Sequence, residues 1–207
     1  MAAGNGTSSG RSELVGEAAG VIPPWATLPM DTHCGYCGAA YTVTAGWPRV
    51  CGECSNTTWR NPLPVAVAML PVHDDAGVHL VVIRRTIEPR HGWLALPGGF
   101  VDLGESWQQG VVRELWEETG IPARAEDVRL AGAYSNQPGS HIMLFGLLPP
   151  RPLAELPPSA PTAETLGWEL LSAPAELAFP SHTQVVADWF AGEHGGRGGQ
   201  GGPGRLG

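Results

Sequence analysis

The segment GGFVDLGESWQQGVVRELWEETGI, Gly98 to Ile121, constrains the fold more than any other part of this 207-residue chain. It places five carboxylates within seventeen residues (Asp102, Glu105, Glu114, Glu117 and Glu118), in a sequence without lysine whose fixed cations are all arginine. The spacing predicts a glycine-directed turn and then an amphipathic helix over about Ser106–Thr119, ended by Gly120 as a C′ glycine. On a helical wheel Glu117 and Glu118 flank Glu114 within one sector. Val111, Val112, Leu115 and Trp116 take the neighbouring and opposite sectors and are expected in a core. Like charges three and four apart repel, and the helix dipole disfavours anions at a C-terminus. Spacing alone leaves two explanations open. A solvated acidic face tolerates such small penalties, whereas a hard divalent cation, Mg²⁺ or Mn²⁺, would hold the carboxylate oxygens together. Gly110 costs about 0.5–1 kcal/mol relative to alanine in a helix interior and is expected to leave space beneath the acidic cluster.

All four cysteines fall within HCGYCGAAYTVTAGWPRVCGEC, as two CxxC pairs, Cys34/Cys37 and Cys51/Cys54, thirteen residues apart. A tetrahedral all-thiolate zinc site needs four sulfurs converging from two short turns, which this spacing provides. Gly35 and Gly52 are expected to relieve crowding in those turns. Two disulfides or a redox pair are the alternatives; the duplicated motif in a chain expected to be cytoplasmic favours structural Zn²⁺. A closed shell of four thiolates leaves no position for catalysis. The segment resembles a zinc ribbon over residues 31–60, with His33 as a surface neighbour rather than a ligand.

The remaining composition divides the chain. Residues 1–30 and the glycine-rich 192–207 have almost nothing to bury and read as loosely ordered tails. A net charge of −8 argues against a broad nucleic-acid surface. No apolar run is long enough to span a membrane, and no secretion signal is evident. Without lysine, Schiff-base chemistry and a lysine-bearing phosphate loop are excluded.

Residues 61–191 read as one mixed α/β domain. PVAVAMLPV (64–72) and VHLVVIRR (78–85) are expected as strands around the turn HDDAG, and WLALPGGF as a further short strand before the helix. VRLAGAYS and HIMLFGLLP follow as strands, then a proline-rich loop, the strand ETLGWELL, and a terminal helix PSHTQVVADWF with Ser181 as its N-cap. Alternation points Arg84 and Arg85 to opposite faces, so at most one should reach a phosphate.

The box from Gly99 to Ile121 resembles that of the Nudix hydrolases: glycine, five residues, glutamate, seven residues, then Arg-Glu-aliphatic-any-Glu-Glu-any-Gly-aliphatic. Gly99, Glu105, Arg113, Glu114, Leu115, Glu117, Glu118, Gly120 and Ile121 occupy every fixed position. The resemblance implies an α/β/α sandwich with a mixed sheet. It also implies a loop–helix–loop that binds catalytic Mg²⁺ or Mn²⁺ and the diphosphate of a nucleoside diphosphate linked to another moiety. By that resemblance Glu114, Glu117 and Glu118 are metal ligands, Gly99 offers a carbonyl to a metal, and Glu105 and Arg113 brace the loop against the helix. Gly98 and Gly99, one of Arg84 and Arg85, and the aromatic Trp107 are the expected substrate contacts. The general base is expected at Glu164, or at Glu114 or Glu117. Trp93, Phe100 and Tyr134 are further stacking candidates, and His141 and His182 are expected to be structural.

A ribbon ahead of such a domain is similar to two groups. NADH and NAD-cap pyrophosphatases carry a Ser-Gln-Pro-Trp-Pro-Phe-Pro-like motif after the box; here Ser135, Gln137 and Pro138 resemble its beginning only loosely, and the Trp-Pro-Phe-Pro portion is missing. The RNPLPVAVAML and PGGFVDLGES context fits better the hydrolases of ADP-ribose or FAD, which release AMP. The resemblance also makes a homodimer possible. The competing class is an inactive zinc-ribbon binding or regulatory protein.

Overall fold

The computed structural model describes residues 31–42, 46–136 and 139–193. Residues 1–30 and 194–207, which hold all but Gly192 and Glu193 of the expected tails, lie outside the described residues, as do Gln137 and Pro138. The chain separates into two compact units, Met1–Arg60 and Asn61–Gly207.

In the first unit β1 (Arg49–Val50) pairs antiparallel with β2 (Thr57–Thr58). The two CxxC turns have the same backbone wiring. The amide of Gly38 donates to the Cys34 carbonyl and that of Ser55 to the Cys51 carbonyl, both at 2.9 Å. Gly38 (φ 75°) and Ser55 (φ 59°) take the left-handed conformation these turns require. The expectation that Gly35 and Gly52 relieve crowding is thereby corrected: open space surrounds both, and neither is left-handed. Away from the sulfurs the Arg49 guanidinium lies 4.1 Å from the Trp47 ring centroid, and the Tyr41 hydroxyl donates to Thr58 Oγ1 at 2.6 Å.

The second unit begins with β3 (Leu63–Met69) and β4 (Pro71–Asp74), which meet at Leu70. The continuous strand expected over 64–72 is therefore two strands, and they belong to different sheets. Next come β5 (Gly77–Arg85), β6 (Leu94–Ala95), β7 (Gly98–Phe100), α1 (Trp107–Thr119), β8 (Arg129–Ser135) and β9 (His141–Leu147). The short β10 (Arg151–Pro152), β11 (Thr165–Leu171) and α2 (Pro180–Phe190) complete the unit. One sheet has the order β7-β3-β9-β8, with β3 and β9 parallel. The other has the order β10-β4-β5-β11, with β6 also paired to β5. WLALPGGF thus supplies one short strand to each sheet.

Strand β3 is covered on both faces, as its unbroken apolar run demands. Ala66, Ala68 and Leu70 pack with Val111, Leu115 and Ile121 on the α1 side. Val67 and Met69 pack with Phe145, Val185, Val186 and Trp189 on the α2 side. The result is α/β/α layering with mixed pairing. Small residues on the α1 face let the helix approach closely: a Cβ added at Gly110 would stand 3.1 Å from Ala66 Cβ and 3.1 Å from Glu105 Oε1. The clearance at Gly110 therefore serves the sheet contact and Glu105, not Glu114 as expected.

Helix α1 starts at a capping box. Ser106 Oγ accepts from the Gln109 amide at 3.2 Å, and Gln109 Oε1 accepts from the Ser106 amide at 2.7 Å. Gly120 (φ 71°) ends the helix, its amide donating to the Trp116 carbonyl at 2.8 Å. Trp116 is 56% exposed, against the expectation of a core position. It lies about 100° beyond Leu115 on the wheel and so falls past the edge of the apolar face. At α2, Phe179 and not Ser181 is the N-cap, and it makes no side-chain cap bond. Pro180 opens the helix because its ring presets a helical φ and its missing N–H needs no acceptor there.

Candidate active site

A cleft of about 380 Å³ lies between the box and the loop before β11. Gly98, Gly99, Arg113, Glu114, Glu117 and Glu118 line it on one side, and Thr162, Ala163 and Glu164 on the other. The box contributes through β7 and α1, which sit side by side because Gly99 has no side chain. A Cβ at Gly99 would stand 2.6 Å from Cδ of Glu114. It is Gly99 that provides the space Glu114 needs.

Arg113 holds this side together. Its Nη2 donates to Glu105 Oε1 at 2.7 Å and to the Phe100 carbonyl at 2.8 Å, and its Nε donates to Glu105 Oε2 at 3.2 Å. Its Nη1 donates to Glu114 Oε1 at 2.7 Å and to Glu117 Oε2 at 3.1 Å. The forked guanidinium suits this bidentate bracing of the Glu105 carboxylate. The same hydrogen bonds hold the Glu105 carboxyl below the usual carboxylate range, and Glu105 Oε1 also accepts from the Asp102 amide at 2.8 Å.

The two innermost acids are perturbed in the opposite direction. Burial raises Glu114, with Arg113 opposing it. Glu118 is 6% exposed, and burial pushes it up to about 8, although the Gly98 amide donates to its Oε2 at 2.9 Å. The charges of Glu114 and Glu164 raise it further, and that of Arg85 opposes them. On the wheel Glu118 is closer to Val111 and Leu115 than to solvent, so the acidic sector is partly a core sector. A wholly solvated acidic face is therefore not what the helix presents.

The carboxylates converge on the cleft without meeting at one point. Glu114 and Glu117 share Arg113 Nη1, and Glu118 turns to Gly98. Among the described residues, the group whose metal-ligating atoms lie within 4.8 Å of one another is the cysteine set. Even so, three carboxylates lining one cleft, Glu118 buried and Glu114 half-buried and both reluctant to ionise alone, form an oxygen donor set suited to a hard divalent cation.

Of the remaining sequence candidates, Glu164 reaches the cleft. Arg84 does not line it: its Nε and Nη2 donate to Glu169 at 2.7 and 2.9 Å, and its Nη1 to the Gly92 carbonyl at 3.0 Å. Arg85 does not line it either, so neither arginine is placed where one was expected: Arg85 Nε donates to the Pro89 carbonyl at 3.2 Å and its guanidinium lies 5.2 Å from the Phe179 ring centroid, although its charge reaches Glu118. Trp107 is half-buried against the α1-side core and does not line the cleft, because the first helical turn packs there. Phe100 borders the cleft, and its ring lies 5.5 Å from that of His141. His182 is buried and accepts from the Leu96 amide at 3.2 Å through Nδ1. Asp102, Thr162 and Ala163 were not anticipated; neither threonine nor alanine in a loop carries a periodicity or motif that could have pointed to the cleft.

The four cysteines are unbridged and form a separate centre. Cys34 and Cys54 Sγ are 3.7 Å apart, and Cys37 and Cys51 Sγ are 3.6 Å apart. Bonds of about 2.3 Å to a tetrahedral zinc require sulfur separations of about 3.8 Å, so the set fits Zn²⁺. The backbone amides of Cys37 and Tyr36 lower the Cys34 thiol to about 6 and that of Asn56 lowers Cys54, whereas, against the Ala39 amide, Cys54 and burial push Cys37 up to about 12. His33 is exposed and bonds to Thr32.

The NUDIX domain model matches residues 62–191. An ADP-ribose pyrophosphatase of Methanocaldococcus jannaschii is 32% identical over 119 residues, 56% of this chain and 68% of that protein. An NAD-capped RNA hydrolase NudC of Salmonella typhi is 28% identical over 92 residues, 44% of this chain. The match spans only 34% of that hydrolase's length. In fold, the chain is similar to the crystal structure of a NUDIX hydrolase from Nitrosomonas europaea. Their TM-score is 0.61 at 20% identity, covering 79% of this chain and 92% of that one. No helix among the described residues is long and apolar enough to cross a membrane.

Proposed function

The chain belongs to the Nudix family, and on that footing we propose that it is a divalent-metal-dependent pyrophosphohydrolase of ADP-ribose or a related nucleoside diphosphate derivative, releasing AMP. The observation that carries this reading is the cleft in which Glu114, Glu117 and Glu118 face Glu164. Glu114, Glu117, Glu118 and the Gly99 carbonyl would hold Mg²⁺ or Mn²⁺, which supplies charge neutralisation of the diphosphate and an activated water. Glu164 lies across the cleft from those acids, where its carboxylate would accept a proton from the attacking water. Arg113 and Glu105 keep Glu114 and Glu117 at the cleft wall, and the Gly98 amide orients Glu118. Of the two strand-end arginines, Arg85 is the one whose charge reaches the cleft acids, and it would offset substrate charge from outside the cleft lining. The four cysteines would hold a structural zinc.

ADP-ribose is favoured by the relative that matches over most of its own length; FAD has the same cleavable linkage. An NADH or NAD-cap substrate is the second reading, supported by the resemblance to the NAD-capped RNA hydrolase. The test is AMP release with Mg²⁺ or Mn²⁺ from ADP-ribose, FAD, NADH and NAD-capped RNA. Folded protein that turns over none of them would overturn the hydrolase reading and leave a binding role. Glu117→Gln is expected to lower activity and alter its metal dependence. Glu164→Gln is expected to lower kcat by about 10²–10⁴-fold, the usual worth of a positioned general base.

A further inference from the structure

Two threonine hydroxyls hold the Glu164 loop, and their hydrogen-bonding capacity is completely used. A hydroxyl offers one donor and two acceptor lone pairs. Thr162 Oγ1 accepts from the amides of Glu164 and Thr165, each at 3.2 Å, and lies 3.2 Å from Thr165 Oγ1. Thr165 Oγ1 accepts from the Gly167 amide at 3.2 Å and lies 3.1 Å from the Glu118 carbonyl. One assignment of protons satisfies all of these groups. The Thr162 hydroxyl donates to Thr165, and the Thr165 hydroxyl donates to Glu118. Donation therefore runs from the loop into the last turn of α1, where it meets a carbonyl that the ending helix leaves without an intrahelical donor. Just past the end of β5, the Thr86 amide donates to the Glu164 carbonyl at 2.8 Å, so the peptide groups on both sides of Glu164 are held.

The sheet is irregular at this point. Thr165 pairs with Arg85, and regular pairing resumes at Trp168 with Ile83. A bulge of this kind re-aims a side chain, and here it accompanies a Thr165 that is 0% exposed while the neighbouring Glu164 remains exposed. An exposed loop glutamate needs no such fixation for folding. A base that must meet a water held by acids on another element does need it.

We propose that Thr165 is a positioning residue: its buried hydroxyl ties the Glu164 loop to the α1 turn that bears Glu117 and Glu118, fixing their separation across the cleft. This rests on the reading of Glu164 as the base. Thr165→Val removes the hydroxyl with little change of shape, and Thr165→Ser restores it. Two readouts separate the tether from the chemistry: amide hydrogen exchange over residues 162–167, and steady-state AMP release from ADP-ribose. In Thr165→Val, exchange at the Glu164 and Gly167 amides is expected to accelerate by about tenfold or more. The kcat is expected to fall by about 10–100-fold, with KM within about twofold. Thr165→Ser is expected to return both readouts towards the parent protein. Unchanged exchange in Thr165→Val, a rise in KM that accounts for the loss, or failure of Thr165→Ser to restore kcat would each overturn the proposal. If Glu164→Gln keeps full kcat while Thr165→Val is slow, the base assignment fails and the tether stands. If ADP-ribose is not cleaved, the exchange measurement alone decides the tether.

Discussion

His182 offers a test of how the core is built, because it carries a titratable ring into a place that excludes charge. Its imidazole is 5% exposed and lies edge-on to Phe145 and Phe179, at centroid distances of 5.4 and 5.1 Å. Nδ1 accepts from the Leu96 amide, which requires the neutral ring. Burial pushes its pKa down to about 3, and the charge of Arg85 acts in the same direction. Between this value and the ordinary 6.5 the unfolded chain binds a proton that the folded chain refuses. Its contribution is therefore fully present above pH 6.5 and is lost as pH falls towards 3, at up to about 1.4 kcal/mol per pH unit. From pH 7 to pH 5 the loss comes to about 2 kcal/mol.

Glu118 opposes this. Its folded pKa of about 8 exceeds the ordinary 4.5, so its contribution is fully present below 4.5 and is lost as pH rises through 8. Over the same two pH units it gains about 2.5 kcal/mol on acidification, so the two contributions nearly cancel in the parent protein. The informative quantity is the difference between the parent and His182→Asn, whose Oδ1 can accept from Leu96 but cannot titrate. Urea unfolding followed by tryptophan fluorescence, without added Mg²⁺ or Mn²⁺, measures that difference at each pH. We expect the parent to lose about 2 kcal/mol relative to the variant between pH 7 and pH 5. A difference constant to about 0.5 kcal/mol, well inside that expectation, would refute a buried, neutral His182.

Gly99→Ala places a methyl group against the Glu114 carboxylate and should weaken Mn²⁺ binding by about 10–100-fold, with the circular dichroism spectrum retained; unchanged affinity in a manganese titration would show that Glu114 can relocate without loss. Cys34→Ser removes one of the four sulfurs and one of the two thiols with a lowered pKa. Zinc content by elemental analysis is expected to fall from one equivalent to near zero, and retention of a full equivalent would remove the four-sulfur assignment.

Much of the second unit was legible because its signals are local. Ser106 and Gly120 bracket α1 through bonds made within a few residues, and the box motif is itself one contiguous segment. The errors arise where the deciding partner is distant in sequence. Arg84 reads as a phosphate contact until Glu169, on the neighbouring strand, is seen to hold its Nε and Nη2, with the Gly92 carbonyl on Nη1. The run from Pro64 to Val72 reads as one strand because both sheets that share it are buried, so no polar residue marks the change at Leu70. Glu118 belongs at once to the acidic sequence pattern and to the core packing, and only the packing explains its pKa. The Thr162–Thr165 relay has no sequence signature, since two hydroxyls three residues apart are ordinary in a loop.

The passage of one segment through Leu70 has a mechanical consequence. The box side of the cleft is built on the β7-β3-β9-β8 sheet, and the Glu164 side on the sheet containing β5 and β11. A single buried residue joins β3 to β4, with the Val81 amide bonded to its carbonyl at 3.0 Å. The two jaws therefore have no slack chain between them at this joint, and with Leu70 buried and bonded we expect the gap to hold its width rather than close on a substrate. The gap works as a fixed caliper, so a substrate must match its width on arrival, and a rigid inhibitor cut to that width should lose little by being rigid.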